Sequence, residues 1–247
     1  MRSKLTTMVA LMLAAMTAGA APLRMGGFEV APIITGSADA PLQGALRQYM
    51  EQQLVRGDGI ALTWTAPTSL PRAMESLRNG SIDVLLLTSG KNGDVDGAVI
   101  PAWSYLHTQP SLAVRSDSPL RAVQSLDQLA GMEIGWVGGT ALNQGMDQIA
   151  IHWQFVSATN WQQLNLRKLQ VGRIQGIYFE NEYSPRYYAQ LEHVNIRLLA
   201  LPVAARNFTM AYSIKADPAA IARFDKAAAA AFAGNQFQAY LEEYMKH

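Results

Sequence analysis

The chain has 247 residues, 49% hydrophobic and 16% charged, a balance that excludes a disordered or fibrous protein and leaves an ordinary globular one. Its formal charge is +1 with no clustered basic face, which gives a nucleic-acid partner no footprint. It has no cysteine, so disulfides, thiolate metal sites and a lipidated N-terminal cysteine are excluded and stability must come from a packed core.

At the start, Arg2 and Lys4 precede an apolar run from Met8 to Met16 and then Ala18-Gly19-Ala20. This is the pattern of a secretory signal cut after Ala20, and the run is shorter than the ~20 residues that a membrane span needs. Residues 1–20 are therefore expected to be a signal peptide, and the mature chain an exported one with 18 basic and 19 acidic residues, a net charge of −1.

Beyond the signal, Leu23 to Glu29 reads as a strand and Pro41 to Leu54 as a helix, with Leu42, Leu46, Tyr49, Met50 and Leu54 at helical spacing. Gly59 to Thr65 alternates as a second strand. Leu70 to Arg78 carries Leu70, Met74 and Leu77 on one helical face before Asn79-Gly80 stops it. Ile82 to Leu87 is a near-continuous apolar run, as in a strand buried on both faces. Strand and helix thus alternate in the manner of a parallel α/β sheet. Gly90 to Gly97 is a polar, glycine-rich loop, Ser111 to Arg115 is extended, and the turn cluster Ser116 to Pro119 precedes a restart of the pattern.

In that second stretch Ser125 caps a short helix that Gly131 ends, and Glu133 to Val137 is a strand. The pattern then predicts helices over Thr140 to Trp153 and Trp161 to Val171, a strand over Ile174 to Phe179 and a helix over Pro185 to Leu191. Ile196 to Val203 and Phe208 to Ile214 read as strands. Asp217-Pro218 opens an alanine-rich helix through Ala233, and Gln236 to Tyr244 forms the last.

Five segments in this order, LRMGGFEVAPI, AMESLRNGSIDVLLL, SLAVRSDSPL, SLDQLAGMEIGWVGGT and LQVGRIQGIYFEN, resemble the periplasmic solute-binding proteins of the amino-acid ABC transporter type. The resemblance spans essentially the whole mature chain. It implies an α/β, two-lobed type 2 periplasmic-binding-protein fold, with the second lobe inserted into the first and the ligand cleft between them, closing by a hinge motion. Lobe 1 would comprise residues 21–114 and 205–247, and lobe 2 residues 115–204.

The resemblance also frames the candidate ligand-binding residues. Gly138 and Gly139 clear side chains from a strand-to-helix turn, and Thr140 would cap the next helix, whose free N–H groups suit an anion; a tight, well-capped turn with no ligand role is the alternative. In such proteins lobe 1 usually supplies an arginine soon after the buried strand, yet residues 79–114 contain none, and Lys91 cannot reproduce a planar bidentate contact. Glu180 falls where an aspartate often meets the ligand's amino group. Ending an apolar strand, it is placed for an ammonium or polyamine and is expected to be solvated without ligand; stabilising the next helix dipole is its other reading. Phe28, Trp64, Trp103 and Tyr105 are candidates for an aromatic cage, each also a candidate for the core.

His107, His152, His193 and His247 share no metal-ligand spacing, and no nucleophile, phosphate-loop or zincin motif occurs. No catalytic residue, metal or cofactor is expected. The resemblance implies a monomeric periplasmic protein that captures a small polar, amino-acid-like solute for the permease of an ABC transporter. Alternatively it presents its ligand to a membrane sensor kinase or cyclase; a third, lesser reading is a dehydratase-type enzyme on the same fold, which would need a protonated carboxyl in the cleft.

Overall fold

A computed structural model describes residues 21–37, 39–90, 95–139 and 145–246. The expected signal, Lys91 and Thr140 lie outside those residues.

Two sheets organise the chain. In the first, β1 (Leu23–Gly26) lies parallel between β2 (Leu62–Trp64) and β3 (Val84–Thr88). The late strand β11 (Arg206–Ser213) adds antiparallel to β3, with β4 (Ala98–Val99) and β5 (Leu106–Thr108) pairing along it. The second sheet has the order β10-β6-β9-β7-β8. Its β7 (Glu133–Val137) runs parallel to β8 (His152–Val156) and β9 (Gly176–Phe179), while β6 (Ser111–Arg115) and β10 (Ile196–Ala200) close it antiparallel. The chain therefore changes sheets twice, across 109–110 and across 201–205. Strand Ser111–Arg115 sits wholly in the second sheet, so the first change comes before Val114.

The helices cover these sheets for the reasons their sequences suggest. Helix α1 (Ala45–Met50) continues as a π-helical turn over Glu51–Val55 and buries Leu46, Tyr49, Met50 and Leu54. Helix α2 (Leu70–Asn79) has Pro71 in its first turn, where the missing N–H costs nothing, and stops at Gly80 in the left-handed region. Helix α3 (Trp161–Gln170) packs on the second sheet, where Gly135 lets it approach: a Cβ there would lie 2.7 Å from Asn165 Oδ1. Helix α4 (Tyr183–Leu191) begins under Asn181, whose side-chain oxygen accepts from the Tyr183 and Ser184 amides at 3.0 and 2.7 Å. Helix α5 (Pro218–Ala231) is capped by Asp217, and α6 (Gln236–Tyr244) packs on α1 and β5, in the first half. The capping box at Ser125 closes with Gln128, over a 3-10 turn, Leu126–Leu129.

One predicted element is absent. No helix runs through the described part of Thr140 to Trp153: residues 145–149 are turns and bends, and 152–156 is the edge strand β8. Met146, Ile149 and Trp153 mimic helical spacing, but Gly145 at φ +82° breaks it. Strand pairing to β7 then places Trp153 and Phe155 on one face, their rings stacked with centroids 6.0 Å apart. The short strands β4 and β5, two and three residues long, are too brief for any periodicity to register.

Candidate functional site

Parallel strands of α/β sheets deliver their following residues to the carboxyl edge, where ligands bind. Here the edges of the two sheets face each other. From the first come Phe28 and Glu29 after β1, Ser89 after β3, and Arg206 at the start of β11. From the second come Glu180 after β9 and Trp161 at the head of α3.

These residues meet across the lobes. The Arg206 guanidinium donates from Nη2 and Nε to Glu180 Oε1 at 2.5 and 3.1 Å. The same Nη2 donates to Ser89 Oγ at 3.0 Å, and that hydroxyl turns to Glu180 Oε2 at 3.3 Å. Side-chain exposure is 11% for Arg206 and 18% for Glu180, so water screens this pair far less than a surface one. Burial, then the Glu180 charge, pushes the neighbouring Tyr178 phenol upward, with Arg206 opposing. Around the pair lie further bridges. Thr108 Oγ1 donates to the Glu180 carbonyl at 2.7 Å, and the Gln109 amide donates to Glu182 Oε2 at 3.1 Å. Trp161 Nε1 donates to the Glu29 carbonyl at 3.3 Å, and the Tyr188 hydroxyl donates to the Glu29 carboxylate. Burial raises the Glu29 carboxyl above its ordinary value, and the Tyr188 hydrogen bond holds it back in part.

Among the described residues, hydrogen bonds join the lobes, and between them lies a cavity of about 40 Å³, bounded by Phe28, Trp136, Trp161, Phe179, Phe208 and Glu180 among others. That is room for a few water molecules, against the ~300 Å³ or more of a ligand pocket. The walls are aromatic, and the charges sit at one side as a pre-formed ion pair.

Of the sequence candidates, Phe28 and Glu180 line this cavity. Glu180 is ion-paired instead of solvated, because β11 returns Arg206 to it. Gly139, at φ +95°, forms part of the lobe contact: a Cβ there would come within 2.7 Å of Pro71 Cγ at the head of α2. The structure does not bring the other three aromatics to the cavity. Trp64 lies under the Arg47 guanidinium, 5.3 Å from its ring centroid. Trp103 donates to Asp225 Oδ1 at 2.8 Å and stacks on Phe232. Tyr105 is 2% exposed and donates to the Leu86 carbonyl at 3.0 Å, so its ring belongs to the core beneath α6. Each is consumed by packing between helix and sheet. Sequence reasoning missed Arg206, Ser89, Trp136 and Trp161. Residues 79–114 hold no arginine, whereas the structure supplies one from the returning strand, 117 residues beyond Ser89.

Among the described residues no cluster of metal-ligating side chains occurs, and no helix is long and apolar enough to cross a membrane.

No protein-family model and no curated protein matches the chain. Solved structures do match its fold. A substrate-binding protein of an amino acid ABC transporter superposes with a TM-score of 0.70 at 13% identity, over 91% of this chain and 99% of that one. The GluR0 ligand-binding core in complex with L-glutamate gives 0.73 at 13% identity, over 91% and 99%. A histidine kinase sensor domain similar to periplasmic binding proteins gives 0.72 at 16% identity, over 91% and 96%. At such identities the likeness establishes the two-lobed periplasmic-binding-protein fold and nothing finer.

Proposed function

We propose that this chain, with its periplasmic-binding-protein fold, is an exported binding protein that captures a small amino-acid-like zwitterion and delivers it to the permease of a membrane transporter. It performs no chemistry of its own. The observation that carries this reading is the ion pair between Arg206 of one lobe and Glu180 of the other, set against aromatic walls. A zwitterion offers the same two charges. On entering an opened cleft, its carboxylate takes the Arg206 guanidinium in a planar fork and its ammonium takes Glu180, so neither buried charge is left unpaired. The internal pair then holds the empty cleft shut, and ligand binding is an exchange of partners. The matching transporter protein and the glutamate complex support this class of ligand.

A thermal-shift screen of the mature protein against amino acids, polyamines and organic acids tests it. A ligand at 100 times its dissociation constant adds ~2.7 kcal/mol to stability. The expected result is a shift with one or more amino acids, lost when Arg206→Met or Glu180→Gln is assayed by calorimetry. A screen in which only anions or only cations bind, or binding that survives both substitutions, overturns the exchange.

The sensor-domain match favours a second reading, in which the liganded protein engages a membrane sensor instead of a permease. Ligand-dependent capture of a sensor ectodomain, and not of a permease, would select it.

A further inference from the structure

The lobes face each other along a second surface that shares no lining residue with the cleft cavity. There α4 of the second lobe lies across from α1 and α6 of the first, over a groove of about 720 Å³. Tyr187 and Leu191 line it from α4, Tyr240, Glu243 and Tyr244 from α6, and Gln48 from α1. The Tyr187 ring also packs edge-on against Tyr188, with centroids 5.3 Å apart, and the Tyr188 hydroxyl is the group that reaches Glu29 across the lobes.

We propose that this groove is a second ligand site and that it takes a small organic cation bearing an aromatic ring or a quaternary ammonium head. Its volume falls within the ~300–1,000 Å³ of organic-ligand sites, while the cleft cavity does not. Three tyrosines line it, and the negative quadrupole of such rings attracts a desolvated cation. Among the described residues the lining includes one carboxylate, Glu243, and no lysine or arginine. Lys246 does pair with Glu243 at 2.7 Å, but the two side chains are 67% and 60% exposed, and so open a pair contributes little. A cation held against the rings displaces the lysine from Glu243 without leaving a buried charge behind. Because the walls come from both lobes, the bound cation also favours the arrangement in which Tyr187 shares the groove with Tyr240 and Tyr244. Groove and cleft are thereby coupled sites, each biasing the other's occupancy.

Benzyltrimethylammonium titrated into the full mature chain by calorimetry is the test, with benzyl alcohol and phenylacetate as neutral and anionic counterparts. The expected result is saturable binding of the cation alone. Tyr187→Ala and Glu243→Gln should each weaken it by about two- to fivefold, the worth of one cation–π or partly exposed charge contact. Lys246→Ala should tighten it by removing one partner of Glu243. Glu243 and Lys246 are exposed, so their variants keep the fold even if Tyr187→Ala does not. No saturable binding, equal binding of benzyl alcohol or phenylacetate, or unchanged affinity in both Glu243→Gln and Lys246→Ala overturns the proposal.

Discussion

At the scale of single residues, the contact between Glu180 and Arg206 changes what a substitution does. A strand-end carboxylate read from sequence alone is solvated and expendable for folding. In the folded chain Glu180 takes two guanidinium donors and a hydroxyl, so Glu180→Gln removes charge-assisted hydrogen bonds and leaves Arg206 half-paired. The expected loss is about 1–3 kcal/mol of unfolding free energy, read as a lower urea midpoint with unchanged slope. Arg206→Met should cost a similar amount, and the double variant less than the sum of the two, since each single change strands the other's charge.

Among elements, the docking of α5 on the first sheet rests on one carboxylate. Asp225 Oδ1 accepts from Trp103 Nε1 and from the Tyr212 hydroxyl, both at 2.8 Å. Burial first, and then the Asp225 contact, pushes the Tyr212 phenol upward, so it stays a neutral donor at every physiological pH. Asp225→Ala leaves that hydroxyl buried without its acceptor, and about 1–3 kcal/mol of destabilisation is expected by urea denaturation. Trp103 fluorescence should change in parallel, because the indole loses its partner while its stacking on Phe232 remains. The same contacts place Trp103 and Tyr105 in the packing of helix on sheet. Their rings fill the space under Phe232 and Phe237, where α5 gives way to α6.

For the whole molecule the question is what keeps two lobes closed. Gly139 meets Pro71 so closely that a Cβ would need the lobes to part, and its φ of +95° strains any other residue. Gly139→Ala is expected to give a larger radius of gyration by small-angle X-ray scattering, together with about 1 kcal/mol of lost stability. A variant as compact as the parent would show that this turn does not gate closure. Glu29 bridges the lobes as well, and burial raises its carboxyl above the ordinary value. The folded state then binds the proton more tightly than the unfolded one, so this group's contribution is full at low pH and declines as pH rises from ~4.3 through the folded value. Glu29→Gln keeps an acceptor for Tyr188 and has no charge to bury. Its urea midpoint should rise relative to the parent as pH goes from 4 to 7. Asp83 behaves oppositely: burial pushes it up, but hydrogen bonds from Arg24 outweigh this and hold it low, so its stability is lost only as pH falls below ~3.9.

The alternation of apolar strands and amphipathic helices, the capped starts at Ser125 and Asp217, and the stop at Gly80 were all legible from residues, because they depend on neighbours within a few positions. The resemblance carried by five segments implied the two-lobed fold, which the solved structures share. Glu180 and Phe28, both put forward by the resemblance, line the cavity between the lobes, Glu180 directly after β9 and Phe28 two residues after β1. The helix expected after Thr140 failed where local and long-range preferences conflict: helical spacing of a few apolar residues is weaker than a glycine in the left-handed region and a ladder with β7. Long-range packing alone decided the rest. Arg206 reaches Ser89 only because the last strand returns to β3. Trp64, Trp103 and Tyr105 pack against α1 and the C-terminal helices, and Tyr187 and Tyr240, far apart in sequence, line one groove. Periodicity carries which face of an element is buried; what it is buried against is a property of the folded whole.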